Sequence, residues 1–217
     1  MIVAPSILSI DFTKFTQQLE AVNQSKATWI HFDVMDGHFV PNLTFGPDIL
    51  KAVKQVSPLF CDVHLMVKQP LRFVDMFIKA QADQLTFHLE AMDNEQDIQA
   101  LIDLIKSHQC KVGISIKPNT DVAVLKPWVK QVDLILIMSV EPGFGGQSFI
   151  DTTIDRIKAV KAMIIQANSN AYIQVDGGIN EKTGKACLDA GCDVLVAGSY
   201  IFKHDIQTQV QSLWQES

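Results

Sequence analysis

The sequence predicts an α/β chain folded as one (β/α)8 TIM barrel, and three observations lead there. Short apolar runs rich in β-branched residues alternate with segments of helical period from end to end, which leaves an open doubly wound sheet or a closed barrel. Eight such runs fit within 217 residues, and barrels of about 200–250 residues commonly form one domain. No linker or low-complexity tract interrupts the alternation, so residues 1–217 read as a single domain.

The first run, residues 2–5, is followed by Phe12, Phe15, Leu19 and Val22, spaced as one helix face. Runs at 29–34 and 60–67 give the second and third strands. Pro70 is placed to open a helix carrying Phe73, Phe77 and Ala80 on one side. Runs at 84–90, 111–116 and 133–140 give strands four to six, and Ile150, Ile154, Ile157 and Val160 mark the helix after the sixth. The last two strands fall at 172–176 and 193–198, and Ile206, Val210 and Leu213 repeat the helical spacing at the C-terminus. Several of the runs are apolar at nearly every position, which suits a parallel sheet covered on both faces. A barrel places its chemistry at the C-terminal ends of the strands, with phosphate commonly held after strands seven and eight.

Bulk properties exclude several partners. The net charge is −6 and no stretch concentrates Lys or Arg, so nucleic acid is not expected, because backbone binding depends on clustered cations. A small anion is still expected to bind, since backbone N–H groups hold phosphate without net positive charge. No apolar run approaches the roughly 20 residues that span a bilayer. The N-terminal segment meets Asp11 too early for a secretory signal. Cys61, Cys110, Cys187 and Cys192 form no CxxC pair and read as reduced thiols of a cytoplasmic protein.

Two constellations carry chemistry. The second strand places His31 and Asp33 two residues apart, on one face. The third brings His64 near its C-terminal end, and the seventh ends on Asp176. Each alone reads as a hydrogen-bonded core histidine or a helix cap. Four together at one barrel mouth need a partner, because unpaired buried charge is costly. One divalent cation meets that need; the mixed N/O donor set suits Zn²⁺, Fe²⁺, Mn²⁺ or Co²⁺ without choosing among them. The second constellation is glycine: Gly143, Gly145 and Gly146 with Phe144 after strand six, Gly177 and Gly178 after strand seven, and Gly198 with Ser199 after strand eight. Bare backbone in three neighbouring loops lets N–H groups approach an anion. His88 reads as a satisfied hydrogen-bonding residue, Asp62 as a partner for a neighbouring ligand, and Asp11 and Asp36 as backbone caps.

Ala4–Leu8 (APSIL), the run 31–42 (HFDVMDGHFVPN), His64-Leu65-Met66, the run 141–147 (EPGFGGQ) and Val175-Asp176-Gly177-Gly178 together resemble the ribulose-phosphate 3-epimerase family. They occur in family order and cover the chain to about Phe202. The resemblance implies a barrel of the ribulose-phosphate-binding type and interconversion of D-ribulose 5-phosphate and D-xylulose 5-phosphate in the pentose phosphate pathway. It implies a divalent metal held by His31, Asp33, His64 and Asp176, with Asp33 and Asp176 exchanging the C3 proton. It implies that Ser6 and His64 contact substrate, that Gly143, Phe144, Gly145, Gly146, Gly177, Gly178, Gly198 and Ser199 surround the phosphate end, and that Met35, Met66 and Met138 line the reacting centre. Family habit implies a homo-oligomer. Ser139 stands where Thr is common in the family, Glu141 where Asn is common, and Lys117 where Asn also occurs.

Inversion at C3 requires breaking the C3–H bond beside the C2 carbonyl and returning a proton to the other face. Two acid/base groups on opposite faces do this, where one alone tends to restore the starting isomer. A Lewis acid stabilises the developing charge, so no organic cofactor is expected. Three alternatives compete: a D-allulose-6-phosphate 3-epimerase with the same metal site, a decarboxylase or aldolase, and a silent sugar-phosphate binder. The second needs a cationic residue near the carbanion, and no Lys adjoins the strand-two motif. The third predicts loss of an acid or ligand, and all four residues are present.

Overall fold

The computed structural model describes residues 1–214; residues 215–217, which the single-domain expectation includes, lie outside the described residues. Eight strands alternate with helices: β1 (Ile2–Pro5), α1 (Phe15–Asn23), β2 (Trp29–Met35), α2 (Pro47–Val56), β3 (Phe60–Met66), α3 (Val74–Lys79), β4 (Gln84–His88), α4 (Glu95–Ser107), β5 (Lys111–Ile116), β6 (Leu134–Met138), α5 (Thr153–Ala167), β7 (Tyr172–Asp176), α6 (Glu181–Asp189), β8 (Val194–Ala197), α7 (Ser199–Phe202) and α8 (Ile206–Leu213). All seven laddered pairs are parallel and follow the order β1-β8-β7-β6-β5-β4-β3-β2. A single parallel bridge, Ser6 to His31, joins β1 to β2 and closes the sheet into a barrel. The closing seam therefore lies beside the first predicted ligand.

The strands alternate as a barrel requires. Ile30, Phe32 and Val34 of β2 and Cys61, Val63 and Leu65 of β3 point outward into the layer packed beneath the helices. The inward positions divide into two kinds. Strands β1, β6 and β8 offer Ala4, Leu134, Leu136, Met138, Val194 and Val196, an apolar cluster. Strands β2 to β5 and β7 offer buried His31, Asp33, Asp62, His64, Gln84, Thr86, His88, Ser115 and Gln174. Trp29 stacks on Phe60 at 4.4 Å and meets Tyr172 edge-on at 6.2 Å, plugging the N-terminal end of the barrel.

Four expectations require correction. The strand–helix unit fails between β5 and β6, where a 3-10 turn, Val122–Leu125, is the only helical piece. Pro118 and Pro127 bracket that turn, and proline disfavours helix in the residue before it and within its own turn. Pro70 opens only a 3-10 turn, Pro70–Arg72, and α3 begins after Phe73 at φ −102°. Phe12 and Ile150 lie ahead of their helices, which start at Phe15 and Thr153. Strand ends at 133, 139–140 and 89–90 also trim back to Leu134, Met138 and His88. Among the described residues, no helix is long and apolar enough to cross a membrane.

Candidate active site

The ends of β2, β3 and β7 converge at the C-terminal mouth. Parallel register sets Asp33 beside His64, and Asp176 enters from β7, three strands away around the barrel past β1 and β8. One donor atom from each of His31, Asp33, His64 and Asp176 lies within 4.8 Å of the others. The His31 and His64 side chains are fully enclosed, Asp33 keeps 3 % exposure and Asp176 keeps 19 %, so Asp176 is the most open of the four.

These residues fit a cation. His31 donates from Nδ1 to Asp62 Oδ2 at 2.8 Å, and its Nε2 is buried with no hydrogen-bond partner. That nitrogen lies 3.3 Å from Asp33 Oδ1 and 4.0 Å from Asp176 Oδ2. An orphaned imidazole nitrogen facing two carboxylates is the arrangement a divalent metal satisfies. Asp62 itself is saturated: it also accepts from Gln174 Nε2 (2.7 Å), Gln84 Nε2 (2.8 Å) and Thr86 Oγ1 (3.2 Å).

The two acids are in opposite electrostatic states. Burial would raise the Asp33 carboxyl, but the adjoining imidazoles of His31 and His64 pull it far below the usual carboxylate range. Ser6 Oγ adds a donated hydrogen bond to Asp33 Oδ2 at 2.6 Å. Burial and the nearby charge of Asp33 push Asp176 up to about 7, with His31 opposing. One acid is therefore held ionised while its neighbour holds a proton near neutrality.

A cleft opens above this group. It is lined by Ser6, Asp33, Asp176, the trio Met35, Met66 and Met138, and by Gly143, Phe144, Gly145, Gly146, Gly177, Gly178, Gly198 and Ser199. All the residues expected at the substrate lie there except His64, which sits beneath Asp33 rather than on the cleft wall. The glycine loop is closed by Ile150 N donating to Ser139 O at 2.9 Å and is braced by Gln147 Nε2, which donates to the carbonyls of Glu141 and Phe144. Gly178 adopts φ +63°, and a Cβ there would lie 2.5 Å from Phe149 N, so only glycine lets these loops meet.

Sequence reasoning missed Ser9, Ser139 and Gln174. Ser9 lines the cleft beside the glycine loop, its Oγ 3.5 Å from where a Cβ on Gly145 would lie. Ser139 Oγ donates to the carbonyls of Asp176 and Gly177, pinning the end of β7. Gln174 betrays itself only as an amide in an otherwise apolar strand. His38 projects into solvent with 74 % of its side chain exposed, and Asp36 caps the turn after β2 through the His38 and Phe39 amides.

Comparison with known proteins agrees with this geometry. The profile of the ribulose-phosphate 3 epimerase family matches residues 2–202. The chain belongs to the ribulose-phosphate 3-epimerase family. A ribulose-phosphate 3-epimerase of Bacillus subtilis (strain 168) is 44 % identical over 201 residues, covering 92 % of this chain and 91 % of that one. One from Chlamydia muridarum is 42 % identical over 207 residues, covering 94 % and 90 %. Among solved structures, a 3-hexulose-6-phosphate synthase superposes with a TM-score of 0.70 over 98 % of each chain at 18 % identity, a likeness of fold alone. The protein is accordingly an enzyme, an epimerase built on a TIM barrel.

Proposed function

We propose that this family member interconverts D-ribulose 5-phosphate and D-xylulose 5-phosphate by moving the proton at C3 between Asp33 and Asp176. The carrying observation is geometric: Asp33 of β2 and Asp176 of β7 reach one cleft from strands on different sides of its mouth, with donor atoms that lie within 4.8 Å of each other and of the two imidazoles. One carboxylate removes the proton from one face while the other acid returns one to the opposite face, and the roles exchange with direction. His31, Asp33, His64 and Asp176 would hold one divalent cation, Zn²⁺, Fe²⁺, Mn²⁺ or Co²⁺. That cation supplies Lewis-acid stabilisation of the charge developing on the sugar's oxygens; no organic cofactor takes part.

The remaining residues bind and orient. Ser6 holds Asp33 in place and reaches the sugar. Gly143 to Gly146, Gly177, Gly178, Gly198 and Ser199 receive the phosphate, whose binding energy fixes C3 between the acids. Met35, Met66 and Met138 keep water from the reacting carbon with soft, apolar surface. Residues 1–217 act as one catalytic domain of a cytoplasmic homo-oligomer in the pentose phosphate pathway. Turnover of ribulose 5-phosphate and of allulose 6-phosphate, measured before and after chelation with each metal added back singly, tests this reading. Loss on chelation, recovery with a divalent ion and preference for the pentulose are expected; full activity in the metal-free chain contradicts it.

A further inference from the structure

Behind the proposed metal site, a line of buried polar groups leads away from His64 to the outside of the barrel mouth. His64 Nδ1 lies 3.3 Å from Asp33 Oδ1, while its Nε2 lies 2.9 Å from His88 Nε2. His88 Nδ1 in turn lies 3.2 Å from Glu90 Oε2. Glu90 belongs to the 3-10 turn Leu89–Ala91 directly after β4. Its other oxygen, Oε1, accepts from Lys117 N at 2.7 Å and from Thr120 Oγ1. Arg156 of α5 donates to the carbonyls of Lys117, Pro118 and Thr120, bracing the loop that grips Glu90.

With a cation between His64 Nδ1 and Asp33, the proton count along this line has one solution. Two imidazole nitrogens at 2.9 Å share a single proton between them. If His88 owned it, a neutral His88 would turn a bare Nδ1 toward the Glu90 carboxylate, lone pair against lone pair. Glu90 cannot turn away, because Oε1 is held by the β5 loop. The proton therefore belongs to His64 Nε2; His88 accepts it and donates from Nδ1 to Glu90. A neutral His64 then has a bare Nδ1 facing Asp33 across 3.3 Å, an opposition of lone pairs that a cation between them relieves. Phe39 covers the His88 ring at 4.8 Å, Lys117 Nζ stands over the Phe39 ring at 4.1 Å, and His88 is fully buried.

We propose that His88 and Glu90 are positioning residues whose hydrogen-bonded chain fixes the tautomer of His64, aiming the Nδ1 lone pair at the cation site. Glu90 sets the direction of the whole chain. Burial opposes its ionisation, but hydrogen bonds from His88 and Thr120 bring the carboxyl down to about 2, so it acts as an acceptor throughout the working range. The inference rests on the metal reading above.

The test uses the full chain and Zn²⁺ as probe. Nitrogen-15 imidazole spectra of the zinc-loaded protein should show His64 protonated at Nε2 and His88 at Nδ1. In Glu90→Gln the amide keeps its oxygen on Lys117 N–H and presents an N–H to His88, which reverses the chain and places a proton on His64 Nδ1. Zinc affinity, read by competition with a chelating dye, should then fall about 10–100-fold, the usual consequence of losing a ligand's outer partner. The metal-free thermal midpoint should hardly move, and Glu90→Asp should recover part of the affinity. Zinc binding unchanged in Glu90→Gln, or His88 without a proton on Nδ1 in the zinc-loaded wild type, overturns the relay alone. A wild-type chain that binds no zinc overturns the metal reading and this inference with it.

Discussion

Strands β2 and β7 both end in an aspartate at the same cleft, yet the two side chains inhabit different surroundings. Asp33 is enclosed, touches two imidazoles and accepts a hydroxyl from Ser6. Among the described residues, no group donates a hydrogen bond to the Asp176 carboxyl, which faces the cleft with Asp33 as its charged neighbour. The β2 end therefore stabilises negative charge and the β7 end resists it. Identical residue types thus acquire opposite proton affinities from their neighbours, and the seam that Ser6 closes against His31 is part of what makes the difference.

Replacing each acid by its amide sharpens the contrast most. Asp33→Asn and Asp176→Asn should each lower kcat by about a thousandfold or more, the scale of general acid–base loss. Their effects on the metal-free fold should have opposite signs. The Asp176 pKa is raised in the folded state from 3.8 to about 7, so ionisation costs stability that is lost progressively between those values and fully above 7. Asp176→Asn should therefore raise the thermal midpoint at pH 8 and do little at pH 3. Asp33 has a depressed folded pKa, so its contribution is present above the unfolded value of 3.8 and disappears as pH falls below it. Asp33→Asn should lower the midpoint at pH 8. Shifts of the same sign in both variants would break the comparison.

Gly178→Ala separates the two duties of β7. The added Cβ meets Phe149 N at 2.5 Å, at a left-handed φ, so the phosphate loops must part. KM for the sugar phosphate should rise about 10–100-fold while metal affinity stays near wild type, since one positioned anion contact is worth a few kcal/mol. Equal losses in both would show that loop and acid are not separable. The pH dependence of metal binding comes next. A cation must displace the proton on Asp176 and that on His31, whose pKa is raised against burial by the charges of Asp33 and Asp62, so affinity should drop at least tenfold per pH unit below about 7, as titration calorimetry in several buffers would reveal. A flat profile would remove the difference between the two acids. Ser6→Ala has the smallest expected effect: losing one donor to a charged acceptor, worth about 1.5–3 kcal/mol, should raise the Asp33 pKa and cost roughly tenfold or less in kcat.

The strand positions were legible because the runs are apolar and β-branched, and Asp176 and His64 were legible because charged groups stand out in such runs. The missing helix between β5 and β6 was hidden, since Val122, Val124, Val129 and Val132 supply apolar spacing that the flanking prolines override. The partners of the ligands were hidden for another reason. Gln174 reaches Asp62 across 112 positions of sequence, and His88 meets His64 only once β3 and β4 are in register. Hydrogen bonds across a barrel interior leave no local pattern. Residue types show which groups need partners, and only closure of the barrel assigns them.

The central claim is that Asp33 and Asp176 serve opposite faces of one carbon, and solvent deuterium tests it most directly. The metal-loaded enzyme is given ribulose 5-phosphate in D₂O, and isotope at C3 of the xylulose 5-phosphate formed is read by mass spectrometry and NMR. The account predicts deuterium at C3 of the inverted product in the wild type and negligible inversion by Asp176→Asn. Inversion that retains the original C3 hydrogen, or inversion by Asp176→Asn near the wild-type rate, would contradict it.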